Sequence, residues 1–325
     1  MAAEPAAVTA ADVAAARARI GTHIRRTPVI HVEAGQLGGG HPPFWLKLES
    51  LQVTGAFKAR SALNSLLATE IPAAGVCAAS GGNHGQAVAW AARMLGVPAA
   101  IFVPVTCPAV KLRRLAEYAA SVTVTGAVYE ESRAFAERHA AETGALLVHP
   151  FDAPLTVAGA GTVAAEFAEQ VPELRTLLIA VGGGGLLAGT LAALAGTWTR
   201  VVAVEPFTAR CLAAALEAGE PVDVPVSGAA VDSLGPRRVG RLGYEAAVAH
   251  RVPHVHVSDD AIIAAQLTAW RELRIGLEGG GAAGLAALLS GAYRPAPGEV
   301  VGVLACGGNV DIAALLQRAE ASAAA

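Results

Sequence analysis

The sequence predicts an α/β fold built on open, mostly parallel sheets that are covered by helices on both faces. Three observations carry this reading. Apolar runs of four or five residues recur without the alternation of a half-exposed strand, as in Val76–Ala79, Ala99–Val103, Leu177–Val181 and Val201–Glu205. Longer segments with helical spacing lie between them, so strand and helix alternate along the chain. Hydrophobic residues form 54% of the 325 residues and charged ones 16%, which supplies a large core and too little charge for disorder.

Thr9 to Arg19 reads as a helix, with Thr9 and Asp12 at capping-box spacing. Thr27-Pro28 closes that region, and Phe44 to Leu48 is a short strand carrying Lys47. Gly55 opens a turn into a helix over Ala59–Leu67. The Val76–Ala79 strand runs into Ser80-Gly81-Gly82-Asn83-His84, and a small-residue helix follows through Ala92. Ala99–Val103 is a strand closed by Pro104; Lys111–Ala119 is helical, Ser121–Thr125 a strand and Tyr129–Glu142 a helix. After Leu146-Leu147-Val148, a helix over Val157–Phe167 precedes the Leu177–Val181 strand, which meets four glycines. Val201–Glu205 is a strand stopped by Pro206, and Val255–Val257, Ala261–Leu273, Ala282–Leu289 and Val300–Leu304 continue the alternation. Thr176–Thr199 carries no charge, but Gly182–Gly185 interrupts it, so it reads as strand, turn and helix rather than a membrane span.

The charge balance, 24 basic against 27 acidic residues and a net −3, supplies no polybasic footprint for nucleic acid or anionic lipid. Cys77, Cys107, Cys211 and Cys306 are widely separated and form no CxxC or finger spacing. A disulfide scaffold and a zinc site are therefore not expected, and a reducing, cytoplasmic setting is. Met1–Arg19 lacks the charged start and apolar core of a secretion signal.

Lysine is scarce: Lys47, Lys58 and Lys111 stand against 21 arginines. A covalently held aldehyde cofactor needs an amine, which arginine does not supply. Lys47 lies between Leu46 and Leu48, and strand alternation turns it from their face. Lys111, near Arg113 and Arg114, reads as a solvated helix face. Lys58 follows Thr54-Gly55-Ala56-Phe57, where a glycine turn feeds a helix; on spacing alone it is equally a surface lysine. Three glycine loops each follow an apolar strand: Ser80–Gly85, Gly182–Gly185 and Gly307-Gly308-Asn309. Free backbone N–H groups at a helix start form an anion cradle, most clearly at the four successive glycines. Neither a Walker motif nor a dinucleotide fingerprint is present. Cys306 ends the last strand, either facing a ligand over the strand ends or buried in packing.

These motifs, in this order, resemble the pyridoxal-phosphate enzymes of the tryptophan synthase beta-like fold (fold type II), in the serine/threonine dehydratase and serine racemase branch. The resemblance rests on Thr27-Pro28, Lys47-Leu48-Glu49, Thr54–Lys58, Ala79–Gln86, His149-Pro150-Phe151-Asp152, Ala158–Thr162, Val181–Leu186, Val204-Glu205-Pro206 and Cys306–Asn309. It implies two α/β domains, with residues 1–48 and 149–325 forming the larger and 49–148 the smaller, the cofactor between them, and a homodimer. It implies that Lys58 holds pyridoxal 5'-phosphate covalently, Phe57 packs beside the ring and Asn83 bonds the 3-hydroxyl oxygen. Gly182, Gly183, Gly184, Gly185 and Leu186 would hold the phosphate. Cys306 would face the pyridine nitrogen, with Glu278 near the ring. Ser80, Gly81, Asn83 and His84 would take the carboxylate of an amino-acid substrate.

The implied reaction is α,β-elimination on L-threonine or L-serine, with Lys58 as base, giving a 2-oxo acid and ammonia. Alternatives are elimination or replacement on hydroxyaspartate, phenylserine or another β-substituted amino acid, racemisation, and a ligand-binding pseudoenzyme. His84 in place of threonine argues against cysteine synthesis. Racemases of this branch carry serine where Gly81 stands. The branch's cation site reads Glu205, Ala209 and Cys211 here, which weakens it for a hard cation, so no metal is assigned. Arg210 is expected to pair with Glu205 instead. Glu278-Gly279-Gly280-Gly281-Ala282 carries extra glycines that are expected to alter the pocket wall, and Ser233 stands where it could touch cofactor or substrate. A C-terminal regulatory domain is not expected.

Overall fold

The computed structural model describes residues 7–107, 109–127 and 129–323. The first six residues, part of the segment read for a secretion signal, lie outside them. Ten strands are present among the described residues. They are β1 (Val29–Val32), β2 (Phe44–Leu48), β3 (Val76–Ala79), β4 (Ala99–Val103), β5 (Ser121–Val124), β6 (Leu146–Leu147), β7 (Thr176–Ala180), β8 (Arg200–Pro206), β9 (His254–Val257) and β10 (Val301–Ala305). The helices of the first half are α1 (Ala10–Ile20), α2 (Lys58–Leu67), α3 (Asn83–Leu95), α4 (Ala109–Glu117) and α5 (Tyr129–Thr143). Those of the second half are α6 (Pro154–Gln170), α7 (Gly185–Ala193), α8 (Cys211–Ala218), α9 (Arg241–Ala249), α10 (Asp259–Thr268), α11 (Gly279–Leu289) and α12 (Ile312–Ala323).

The strands form two sheets, a six-stranded one in the order β1-β2-β10-β7-β8-β9 and a four-stranded one in the order β5-β4-β3-β6. Every pairing is parallel except β1 with β2, which run antiparallel from Val29 opposite Lys47 to Val32 opposite Phe44. The larger sheet is therefore mixed. Its strands β7 and β10 are buried along their whole length, as strands covered on both faces must be.

Local chemistry sets the element ends. Thr9 and Asp12 form the expected capping box on α1, the threonine N–H donating to Asp12 Oδ2 at 2.8 Å. Helix α6 begins on Pro154. The uncharged 176–199 stretch is β7, the glycine turn and the nine-residue α7. Gly161 of α6 and Gly189 of α7 let these two helices touch backbone to backbone, which a side chain at either position would block. No helix among the described residues is long and apolar enough to cross a membrane. The segment read as one helix over 261–273 is α10 followed by a π-turn at Ala269–Leu273, stopped where Arg274 adopts φ 58°. The expected Arg210–Glu205 pair does not form. Arg210 pairs with Glu217, and the buried Glu205 carboxylate accepts from the Leu212 and Ala213 N–H groups at 2.8 and 2.9 Å, capping α8. Burial pushes Glu205 up to about 7, against the pull of those two N–H groups.

Lys47 is fully buried. Its strand is covered on both faces, so turning away from Leu46 leads into protein rather than solvent. Its ammonium donates to Glu166, to Gln170 Oε1 at 2.6 Å and to the Thr27 carbonyl at 2.8 Å. Arg60 completes the cluster by gripping Glu49 with two bonds of 2.8 Å and reaching Glu166 at 3.1 Å. Burial opposes the charge on Glu49, yet Arg60 and the Thr27 hydroxyl hold its carboxyl below the usual range. This buried network ties β2 and α6 to the first turn of α2.

Candidate active site

Three strand ends converge on one cleft. Strand β3 delivers Ser80–His84 from the four-stranded sheet, while β7 and β10 deliver Gly182–Gly185 and Cys306–Asn309 from the six-stranded sheet. Such carboxyl ends of parallel strands are where α/β sheets bind ligands. Lys58 is the first residue of α2, two residues before Arg60. Its Nζ donates to the Pro150 carbonyl at 2.6 Å and lies 5.0 Å from the Phe57 ring centre. Burial pushes its pKa down to about 8, against the attraction of Cys306 and Glu278. Near neutral pH an appreciable share of such amines is uncharged and nucleophilic.

Phe57 is held from the other side, its N–H donating to the Cys306 carbonyl at 3.0 Å. Gly308 N–H donates to the Gly55 carbonyl at 2.8 Å, which fastens the Gly55 turn to the end of β10. Cys306 is buried rather than open to solvent, and burial raises its thiol far above the usual range. Asn83 opens α3 and donates through Nδ2 to Glu278 Oε1 at 2.6 Å. Its Oδ1 accepts from Asn309 Nδ2 at 2.7 Å, which fixes the orientation of the Asn83 amide. Glu278 is buried; burial pushes it up to about 7, opposed by the Asn83 bond.

His84 sits in the same loop, but its imidazole is turned away from any carboxylate. Nε2 lies 2.8 Å from the Val148 carbonyl, which makes it the protonated nitrogen, and burial pushes the ring's pKa down to about 3. The bare Nδ1 can only accept, so the ring offers no donor to an anion. The space a β-carbon would take at Gly81 is occupied by the Cys107 thiol.

The glycine turn meets the segment His149–Asp152. A side chain at Gly183 or Gly185 would run into Phe151, and one at Gly184, where φ is +85°, into Gly243. Asp152 caps α9 by accepting from the Arg241 and Leu242 N–H groups at 3.0 and 2.9 Å, and Gly240 N–H donates to the Gly183 carbonyl at 3.0 Å. Among the described residues, the N–H groups of Gly182, Gly183, Gly184, Gly185 and Leu186 have no protein acceptor, and they open α7. That cradle suits a phosphate dianion, and Lys58 beside it suits an aldehyde, so these residues fit pyridoxal 5'-phosphate. Sequence reasoning gave no role to Pro150, Phe151, Asp152 or Asn309. Their signal was present only as parts of the His149–Asp152 and Cys306–Asn309 motifs.

The extra glycines after Glu278 do not widen the cleft. Side chains at Gly279, Gly280 and Gly281 would meet Ala229 and Ala230, Ser233 and Leu234, and the Gly307 carbonyl. These positions serve close packing, and Gly280 N–H donates to Ser233 Oγ at 2.8 Å. Among the described residues no cluster of three metal-ligating side chains occurs.

Comparison with known proteins agrees with this geometry. A family model described as "Pyridoxal-phosphate dependent enzyme" matches residues 20–307. An L-threonine ammonia-lyase of Geobacter sulfurreducens is 38% identical over 301 residues, covering 90% of this chain and 74% of that protein. The structure of maize serine racemase superposes with a TM-score of 0.88 at 32% identity, covering 98% of both chains. The serine racemase of Dictyostelium discoideum superposes at 0.84 with 32% identity, covering 94% of this chain and 100% of that one. A threonine deaminase structure superposes at 0.85 with 36% identity, covering 94% of this chain and 99% of that one. With the amine, the phosphate cradle and the likeness extending over nearly the whole chain, the protein belongs to the pyridoxal-phosphate dependent enzymes of fold type II, related to the threonine dehydratase and serine racemase branches.

Proposed function

We propose that the enzyme is an ammonia-lyase that converts L-threonine, and L-serine with it, to a 2-oxo acid and ammonia by α,β-elimination. The observation that carries the reading is the Lys58 amine, set at the strand ends where the glycine loops meet. Lys58 Nζ, lowered to about 8, is suited to take the α-proton. Racemases of the branch this chain resembles carry serine where Gly81 stands, and glycine has no hydroxyl to return a proton, which favours elimination over racemisation. Bound pyridoxal phosphate supplies the electron sink for the α-carbon. The residues divide the remaining tasks. Backbone N–H groups of the Ser80–His84 loop would bind the substrate carboxylate, Gly182–Leu186 would hold the phosphate, and Asn83 would orient the ring. Cys306, a neutral thiol, would stand by the ring nitrogen without forcing it to stay protonated. The 38% identity to an L-threonine ammonia-lyase supports the same choice.

Elimination on hydroxyaspartate or phenylserine is the second reading, but packing at Gly279–Gly281 leaves it without the wider wall that would favour it. The test is product analysis by mass spectrometry with chiral separation of the remaining substrate. L-threonine should give 2-oxobutanoate well above a no-enzyme control, with no comparable build-up of the inverted amino acid. Accumulation of D-serine or D-allo-threonine faster than the oxo acid would overturn the proposal.

A further inference from the structure

We propose that Lys111 and Asp232 are positioning residues that form an ionic latch across the mouth of the cleft and hold the substrate loop closed. Lys111 lies on α4, among the helices of the four-stranded sheet, and Asp232 lies between α8 and α9, on the six-stranded side. Their atoms Nζ and Oδ1 are 3.0 Å apart, with 121 residues of chain between them. The solvated helix face expected for Lys111 is therefore replaced by a contact between the two halves of the molecule: its side chain is 22% exposed, against 76% for Asp232.

The substrate loop is caught between the two anchors. Gly81 packs on Cys107, four residues before Lys111, and the β-carbon position of Gly82 is 3.7 Å from the Asp232 carbonyl oxygen. The Asp232 segment is tied down by hydrogen bonds. Ala229 N–H donates to Asp259 Oδ1 at 2.7 Å, Leu234 N–H to the Ala230 carbonyl at 2.7 Å, and Ser233 Oγ receives the Gly280 N–H. The Lys111 side is a helix end attached to the sheet that carries the loop. A charge pair between a fixed segment and a movable one is a device for closure, and closing such a cleft excludes water from the reaction.

The experiment uses the pyridoxal-phosphate-loaded full chain with Asp232→Asn, Lys111→Met and the exchanged pair Lys111→Asp with Asp232→Lys. Two readouts are taken: backbone hydrogen exchange over residues 80–86 and 229–235, and kcat and KM for L-threonine. Each single variant should raise exchange in both segments and raise KM about twofold to fivefold, with kcat changing less. The exchanged pair should return both toward wild type. Salt near 1 M should raise the wild-type KM and leave that of Asp232→Asn unchanged. Exchange and KM unaltered in the single variants, or no recovery in the exchanged pair, would overturn the latch. The kinetic arm rests on the ammonia-lyase reading, but the exchange arm does not. Absence of threonine turnover with altered exchange would sink that reading and leave the latch standing.

Discussion

Replacing Gly184 by alanine should weaken cofactor binding far more than it weakens the fold. Two costs add at this position. The residue has φ +85°, and a side chain in the left-handed region costs about 1–2 kcal/mol. Its β-carbon would also come within 2.9 Å of Gly243 Cα and of Val239 Cγ2, and overpacking of this kind costs about 1–3 kcal/mol. Relief requires the turn to move away from α9, which withdraws the N–H groups of Gly183 to Leu186 from the phosphate. If about 2–5 kcal/mol is expressed in binding, at about 1.4 kcal/mol per tenfold, the Kd for pyridoxal phosphate rises roughly 30- to 4,000-fold. The assay is titration of the apoprotein by absorbance or fluorescence, with urea unfolding of the same sample. Gly196→Ala is the control. It has φ +78° with nothing within 4 Å of its β-carbon, so it carries the strain alone, away from the cleft. It should lose about 1–2 kcal/mol of stability and keep its Kd. A Gly184→Ala protein that binds within about threefold of wild type would refute the cradle argument.

Other outcomes follow from the same geometry. Lys58→Ala should abolish elimination, and in wild-type apoprotein the rate of pyridoxal phosphate capture should climb with pH and level off above about 8, because burial lowers the amine to that value and only its neutral form attacks; a rate that still climbs through pH 10 would contradict it. Arg60→Met leaves Glu49 and Glu166 buried without their guanidinium, so urea unfolding should show a loss of about 3–5 kcal/mol. Because Glu49 is held below its ordinary 4.5, its contribution is present above that pH and is lost as pH falls through the lowered value, so the Arg60→Met deficit should shrink in acid. Gly81→Ser alone should impair activity, because Cys107 fills the space of the new side chain, whereas Gly81→Ser with Cys107→Ala should recover turnover and form detectable D-amino acid by chiral chromatography.

Much of this architecture was legible because it is local. The Lys58 turn, the capping box of Thr9 and Asp12, and the glycine loops after β3, β7 and β10 are each written in fewer than ten consecutive residues. What was not legible depends on distant partners. Asn83 and Glu278 meet across 195 residues, and Lys111 meets Asp232 across 121; neither residue's neighbours announce the contact. Strand β1 was missed because Val29–Val32 is a short edge that makes sense only once it lies antiparallel on β2. The partners of Lys47 were not legible, because alternation tells the two faces of a strand apart but not which faces are wet. In a sheet covered on both sides, neither is.

The glycines around the cleft also change meaning once their surroundings are known. In sequence, Gly279–Gly281 suggests an altered pocket wall, and each of these residues is pressed against another segment. Gly281 lies against the Gly307 carbonyl, Gly307 against Glu278, and Gly183 and Gly185 against Phe151. Strand ends from two sheets can converge this closely only where β-carbons are missing, so the walls of the site are largely backbone. Backbone walls present N–H groups, which suit the two anions this chemistry must hold, a phosphate and a carboxylate. Because Glu278 is raised to about 7 and bonded to Asn83, its protonation reaches the residue proposed to orient the ring. Replacing Glu278 by glutamine keeps an acceptor for Asn83 and removes the titration, which makes it the substitution that separates these two roles.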